Sequence, residues 1–174
     1  MLLIENHLDS FLGDAEDVTY CVAVQPHRFI TTSADGCIRL YNTTTKEREW
    51  RKSYGDGINC ASTDPSGLLL VIGFTTGSWN VLDLSSQDTV FEQNESTQPI
   101  TAIQFAPNGV HLFVASKDLS ATIYRMDSPQ RFQRIARIGA LSSFAISPDW
   151  DVDSQYVRAN STVGHIYHCE FKNV

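Results

Sequence analysis

The stretch "ITAIQFAPNGVHLFVASKDLSATIYRM", Ile100 to Met126, decides how this chain is read. Ile100, Ile103 and Phe105 alternate with small and polar residues, the pattern of a half-buried strand. "APNG" follows, with proline then glycine as a tight turn requires. "HLFVAS" reads as a second strand, "KDL" as a polar turn and "SATIYRM" as a third strand.

The same grammar recurs three more times. "VTYCVAVQPHRFITTSADGCIRLYN" starts at Val18, "INCASTDPSGLLLVIGFTTGSWNVLDL" at Ile58 and "FAISPDWDVDSQYVRANSTVGHIYHCEF" at Phe144. Pro26, Pro65, Pro107 and Val152 share one column, at spacings of 39, 42 and 45 residues. Repeats of about 40–45 residues built of strands are the size of a propeller blade. No amphipathic helix of useful length interrupts them. The expected fold is therefore all-β, with about four four-stranded antiparallel blades near 18–56, 57–98, 99–142 and 143–174. Residues 1–17 read as an N-terminal strand or linker, and the fourth blade has room for about three strands. Aligning on the prolines puts Cys21, Cys60, Ala102 and Ser147 in one column of small residues, as close packing of sheets demands. Trp79 and Trp150 read as core.

Composition excludes several functions. The 174 residues carry 20 acidic and 13 basic side chains, a net charge of −7, which disfavours nucleic acid and anionic membranes. The longest apolar run, Leu68 to Ile72, is far too short to span a bilayer. The N-terminus has no basic region leading into an apolar core, so no secretory signal is read and a cytoplasmic chain is expected. The four scattered cysteines, Cys21, Cys37, Cys60 and Cys169, then read as thiols, and the Asn-x-Ser/Thr triplets at Asn42, Asn94 and Asn160 as chance matches.

"DWDVDSQYVRAN", Asp149 to Asn160, imitates an EF-hand loop, with carboxylates at Asp149, Asp151 and Asp153. The sixth position needs glycine and has Ser154; the twelfth needs a bidentate glutamate and has Asn160. Within the repeat, Trp150 replaces Phe105 and "DVDS" replaces "APNG". The aspartates are thus expected to cap a turn rather than hold calcium. "HIYHC" offers His165, His168 and Cys169, but the two histidines would point to opposite faces of a strand. No nucleophile elbow, zincin, P-loop or dinucleotide motif occurs. The expectation is no enzyme, no cofactor and no metal. "SSQDTVFEQNESTQP" (85–99) and "MDSPQRFQRIARIGALSS" (126–143) read mostly as polar connecting loops, and no spacing singles out interaction residues.

The repeats resemble WD-repeat propellers, and more narrowly the C-terminal blades of the echinoderm microtubule-associated protein-like family. In the first repeat Tyr20, Cys21, Val22, Ala23, Pro26, Phe29, Thr31, Asp35 and Arg39 fall on that family's blade pattern. Gly73, Gly77, Trp79, Val81 and Asp83 are similar to its G-x-x-x-G-x-W-x-V-x-D stretch. Ser142, Ser143, Phe144, Asp149, Trp150, Asp153, Ser154, Gln155, Tyr156, Asn160 and Ser161 resemble its S-S-F…D-W…D-S-Q-Y…N-S stretch. Gly139, Ala140 and Leu141 stand where the family has Gly-His, and Tyr41 or Cys169 where blade strands end in Trp. The resemblance implies a segment of a larger propeller in a cytoskeletal, tubulin-related scaffold, with tubulin or microtubules as protein partners. Two alternatives stay open: a WD-repeat scaffold for a ciliary or signalling complex, and a metal-dependent propeller module or enzyme. Open blade edges are expected to promote self-association.

Overall fold

The computed structural model describes residues 17–170. They form fifteen strands and no helix. The expected N-terminal segment lies, apart from Asp17, outside the described residues. Four antiparallel sheets follow one another along the chain. The first contains β1 (Val18–Gln25), β2 (Arg28–Ser33), β3 (Cys37–Asn42) and β4 (Glu47–Ser53). The second contains β5 (Ile58–Thr63), β6 (Leu69–Phe74), β7 (Ser78–Asp83) and β8 (Thr89–Asn94). The third contains β9 (Ile100–Phe105), β10 (His111–Ser116), β11 (Ser120–Ser128) and β12 (Arg131–Ile138). The fourth has three strands, β13 (Ala145–Trp150), β14 (Tyr156–Ser161) and β15 (Ile166–Glu170).

Each sheet is an up-and-down meander whose first strand is innermost. The inner strands pack side by side, β1 on β5, β5 on β9 and β9 on β13. Three apolar seams join the four sheets. Ile30, Ile38 and Leu40 of the first sheet meet Ile58, Leu70 and Ile72 of the second. Val71, Trp79 and Val81 meet Ile103, Leu112 and Tyr124. Phe113, Ala121 and Ile123 meet Trp150, Val157 and Ala159. Trp79 is fully buried, with the rings of Phe91, Tyr124 and Phe132 centred 5.1, 5.0 and 5.3 Å away. Both tryptophans expected in the core are there. Among the described residues no fourth seam joins the last sheet to the first. The arrangement is an open arc of propeller blades.

The blades repeat one another in fine detail. The first hairpin of each sheet has one residue at positive φ, His27, Gly67, Gly109 or Ser154. Every inner strand carries a one-residue irregularity after its first paired residue, at Thr19, Asn59, Thr101 and Ile146. Two of these bulged residues reach the next blade: Asn59 Nδ2 donates to the carbonyl of Ile100, and Thr101 Oγ1 to that of Ala145, each at 2.6 Å. Gly73 lies where the second blade packs closely against Ile100 of the third. A Cβ there would stand 2.6 Å from Ile100 Cγ2 and 2.8 Å from Cys60 Sγ.

The bulges also correct the alignment. The residues after them are Tyr20, Cys60, Ala102 and Ser147, paired with Thr32, Gly73, Ala115 and Asn160. Tyr20, not Cys21, therefore takes that position in the first blade, so the column is not uniformly small. The first hairpin turns in two residues, Pro26 and His27, between the paired Gln25 and Arg28, and its proline anchor shifts the inner strand by one. A one-residue slip changes the face of every side chain. Cys21 consequently faces away from the second blade and is exposed, not a core hydrophobe. Ser147 is exposed as well, because no described sheet lies beyond it.

The two segments read as connectors also need correction. They contain β8 and β12, the outermost strands of their blades. Outer strands are half-exposed, so their polar sequences lack both the spaced apolar residues of β9 and the continuous apolar run of β6.

Candidate interaction surfaces

The inner strands enclose a cleft along the axis of the arc. Its middle, about 310 Å³, is lined by Asn59, Cys60, Thr101, Ala102 and Ser147 among others. Toward the hairpin turns it opens into a space of about 440 Å³ bounded by Asp64, Ser66, Gln104, Asp149 and Trp150. The lining is polar, and one of its two carboxylates, Asp64, is committed to backbone. Asp64 Oδ1 accepts from the backbone N–H of Leu68 at 2.9 Å and of Leu69 at 2.7 Å, and Oδ2 from that of Ser66 at 3.1 Å. Asp64 thus locks the hairpin between β5 and β6.

Asp151 occupies the matching place in the fourth blade. Its Oδ1 accepts from the backbone N–H of Tyr156 at 2.6 Å, and its carbonyl from that of Ser154 at 3.0 Å. Ser154 is buried, and its Oγ accepts from the backbone N–H of Asn108 at 3.0 Å, tying this turn to the third blade. Asp149 and Asp153 are exposed. The aspartate-rich run is a capped hairpin, and no group of three or more His, Cys, Asp or Glu gathers like a metal site among the described residues.

The histidines of "HIYHC" serve separate neighbours. The Nδ1 of His165 lies 2.5 Å from Ser142 Oγ. His168 stacks on Tyr156, with ring centres 5.4 Å apart. Ser142 Oγ is also 3.0 Å from the hydroxyl of Tyr167, which donates to the carbonyl of Ser143 at 2.8 Å. The Ser142 hydroxyl, and the backbone N–H of Ser143 that donates to the Tyr167 oxygen at 3.0 Å, hold the Tyr167 hydroxyl below its ordinary pKa. Serine, histidine and tyrosine come together here only through folding, since 23 residues separate Ser142 from His165. They pin the entry of β13 against β15.

Three of the four cysteines, Cys21, Cys60 and Cys169, are not activated as nucleophiles by their surroundings. Burial pushes the Cys60 thiol up to about 12 and raises those of Cys21 and Cys169, and a protonated thiol is a poor nucleophile.

A second polar network lies in the first blade. Arg39, 2% exposed, donates to Asp35 Oδ2 at 2.6 Å and to Ser33 Oγ at 2.7 Å. Asp35 Oδ1 also accepts from the backbone N–H of Cys37 at 2.9 Å. The Arg39 hydrogen bond, with those from Ser33 and Cys37, holds the Asp35 carboxyl well below the usual carboxylate range. In the third blade Asp118 similarly accepts from the N–H and hydroxyl of Ser120, at 3.0 and 2.7 Å. Glu95, entering the third blade, accepts from Thr122 Oγ1 at 2.7 Å and from the Tyr124 hydroxyl.

Repeated antiparallel sheets, joined by apolar seams around a polar cleft, define a β-propeller protein. The sequence says which one. Residues 20–174 match the family described as "Echinoderm microtubule-associated protein second beta-propeller". The chain belongs to this echinoderm microtubule-associated protein-like family. It is 35% identical over 154 residues to "Echinoderm microtubule-associated protein-like elp-1" of Caenorhabditis elegans, covering 88% of this chain and 17% of that one. It is 30% identical over 163 residues to "Echinoderm microtubule-associated protein-like 2" of Mus musculus, covering 92% and 24%. It is 31% identical over 162 residues to the "77 kDa echinoderm microtubule-associated protein" of Lytechinus variegatus, covering 91% and 23%. The chain thus spans less than a quarter of the length of these relatives.

Proposed function

We propose that this chain is a non-catalytic interaction module, part of a larger propeller, that binds tubulin or another cytoskeletal protein in the cytoplasm. The observation that carries the reading is family membership over residues 20–174, shared with relatives named as microtubule-associated. The architecture supports it. Apolar side chains are concentrated in the seams, while turns, outer strands and cleft offer fixed polar groups. Loops and edges held on such a rigid scaffold are where binding specificity resides. The carboxylates of Asp64 and Asp151 bind backbone, and the raised thiols lack nucleophilic character, which supports recognition over chemistry.

Because the chain covers less than a quarter of these relatives' length, a scaffold role toward a non-tubulin partner is the second reading. Co-elution with soluble tubulin dimers on a sizing column, with light scattering at low and moderate salt, separates the two. A complex of defined ratio is expected if the blades themselves recognise tubulin. A folded chain that elutes alone rejects that reading and favours the other partner class. The same run reports self-association, expected through the open edges as a mass above that of the monomer.

A further inference from the structure

We infer that β12, the outer edge of the third blade, is a docking edge for an acidic, extended peptide. β12 is the terminal strand of its sheet, so one hydrogen-bonding edge is unpaired within that sheet. Its sequence, RFQRIARI, contains Arg131, Arg134 and Arg137 and no carboxylate. Arg125 on β11 adds a fourth guanidinium, so four of the chain's 13 basic residues gather here in a protein of net charge −7.

Two carboxylates serve the four guanidiniums. Asp127 bridges Arg125 at 3.1 Å and Arg131 at 3.5 Å, and Asp118 lies 3.5 Å from Arg137. Arg134 has no ion-pair partner among the described residues, and the side chain of Arg131 is 78% exposed.

Backbone geometry gives the arginines a register. Residues three apart on a regular strand point to opposite faces. Here the pairing jumps from Ile123↔Ala136 to Tyr124↔Arg134, leaving Ile135 as the extra residue of a bulge. Arg134 and Arg137 therefore sit opposite Tyr124 and Thr122 and share a face. Their spacing becomes that of alternate strand residues, about 7 Å. A peptide with acidic residues at every second position would match it as a fifth strand. Main-chain bonds would supply affinity and the arginine pair selectivity. Arginines can also simply guard an edge against pairing. The other outer strands argue against a general guard: β8 holds Glu92 and no base, and in β4 Glu47 and Glu49 offset Arg48, Arg51 and Lys52.

The test is fluorescence anisotropy on the whole chain with a labelled dodecapeptide of alternating Glu and Thr, at low and moderate salt. Saturable binding that weakens with salt is expected. Arg134→Glu with Arg137→Glu should raise Kd at least tenfold, and the milder Arg134→Gln with Arg137→Gln at least threefold. Arg48→Glu with Arg51→Glu on β4 should change it less than twofold. Methylating alternate backbone nitrogens of the peptide should weaken binding at least tenfold. No binding at low salt, or binding indifferent to the β12 variants, would overturn the proposal. Equal binding of the methylated peptide would overturn strand addition. The outcome is independent of the tubulin reading, since a chain that elutes apart from tubulin can still bind this peptide.

Discussion

The third and fourth blades share a turn, a bulge and a register, yet they treat the same positions in opposite ways. Phe113, Ala115, Ala121 and Ile123 on the third blade are buried against the fourth. Their counterparts Arg158, Asn160, Ile166 and His168 are exposed, Ile166 by 74%. The second blade fills the same register with Val71, Gly73, Trp79 and Val81, all buried. Blade form is thus encoded locally, in turns and bulges. What occupies a blade's face depends on whether a neighbouring sheet covers it.

Paired substitutions at matching positions would break or sharpen this contrast. Trp79→Ala empties the aromatic cluster of the second seam and should cost about 3–5 kcal/mol in urea unfolding. Ile166→Ala, at the corresponding position, should stay within about 0.5 kcal/mol. A large loss there would mean that the face is covered in solution. Asp64→Ala frees three backbone donors in a closed hairpin and is expected to cost roughly 1–3 kcal/mol, more than Asp151→Ala, whose carboxylate holds one backbone donor. Gly73→Ala forces a Cβ against Ile100 and Cys60, with an expected loss of about 1–2 kcal/mol. Asn160→Ala, its counterpart beside open solvent, should be close to neutral.

Acid probes the opposite end of the arc. The Asp35 carboxyl is depressed in the folded chain by its bond to Arg39. Its contribution to stability is therefore complete above the ordinary carboxylate pKa of about 4 and fades as pH falls below it. The urea midpoint of the native chain should drop more between pH 7 and pH 3 than that of Asp35→Asn. Equal drops would show that this pair does not carry the acid sensitivity.

Much of this architecture was legible because turns announce themselves. "DPSG" and "APNG" place proline and then glycine where the backbone needs a fixed and then a positive φ, and Trp79 and Trp150 lie where the repeat puts core. The outer strands β8 and β12 were not legible, because polar residues on a half-solvated strand resemble those of a loop. Nor was the register of the first blade, since a turn two residues long hides a slip that only pairing reveals. The capping role of Asp151 followed from its place in the repeat. The arginine pair of β12 did not, because the bulge that unites Arg134 and Arg137 leaves no mark in composition.

The bonds from Asn59 and Thr101 to the following blade carry a further implication. Each links a blade's innermost strand to its successor alone, so coupling runs between nearest neighbours, like the links of a chain. Opening such an array is easiest at an end and hardest in the middle. Amide exchange should therefore be graded along the sequence: fast on β14 and β15 of the end blade, and slowest on the inner strands of the second and third blades, each of which lies between two closed seams. Loss of an end blade would leave its neighbour's fold standing, with one face newly wet.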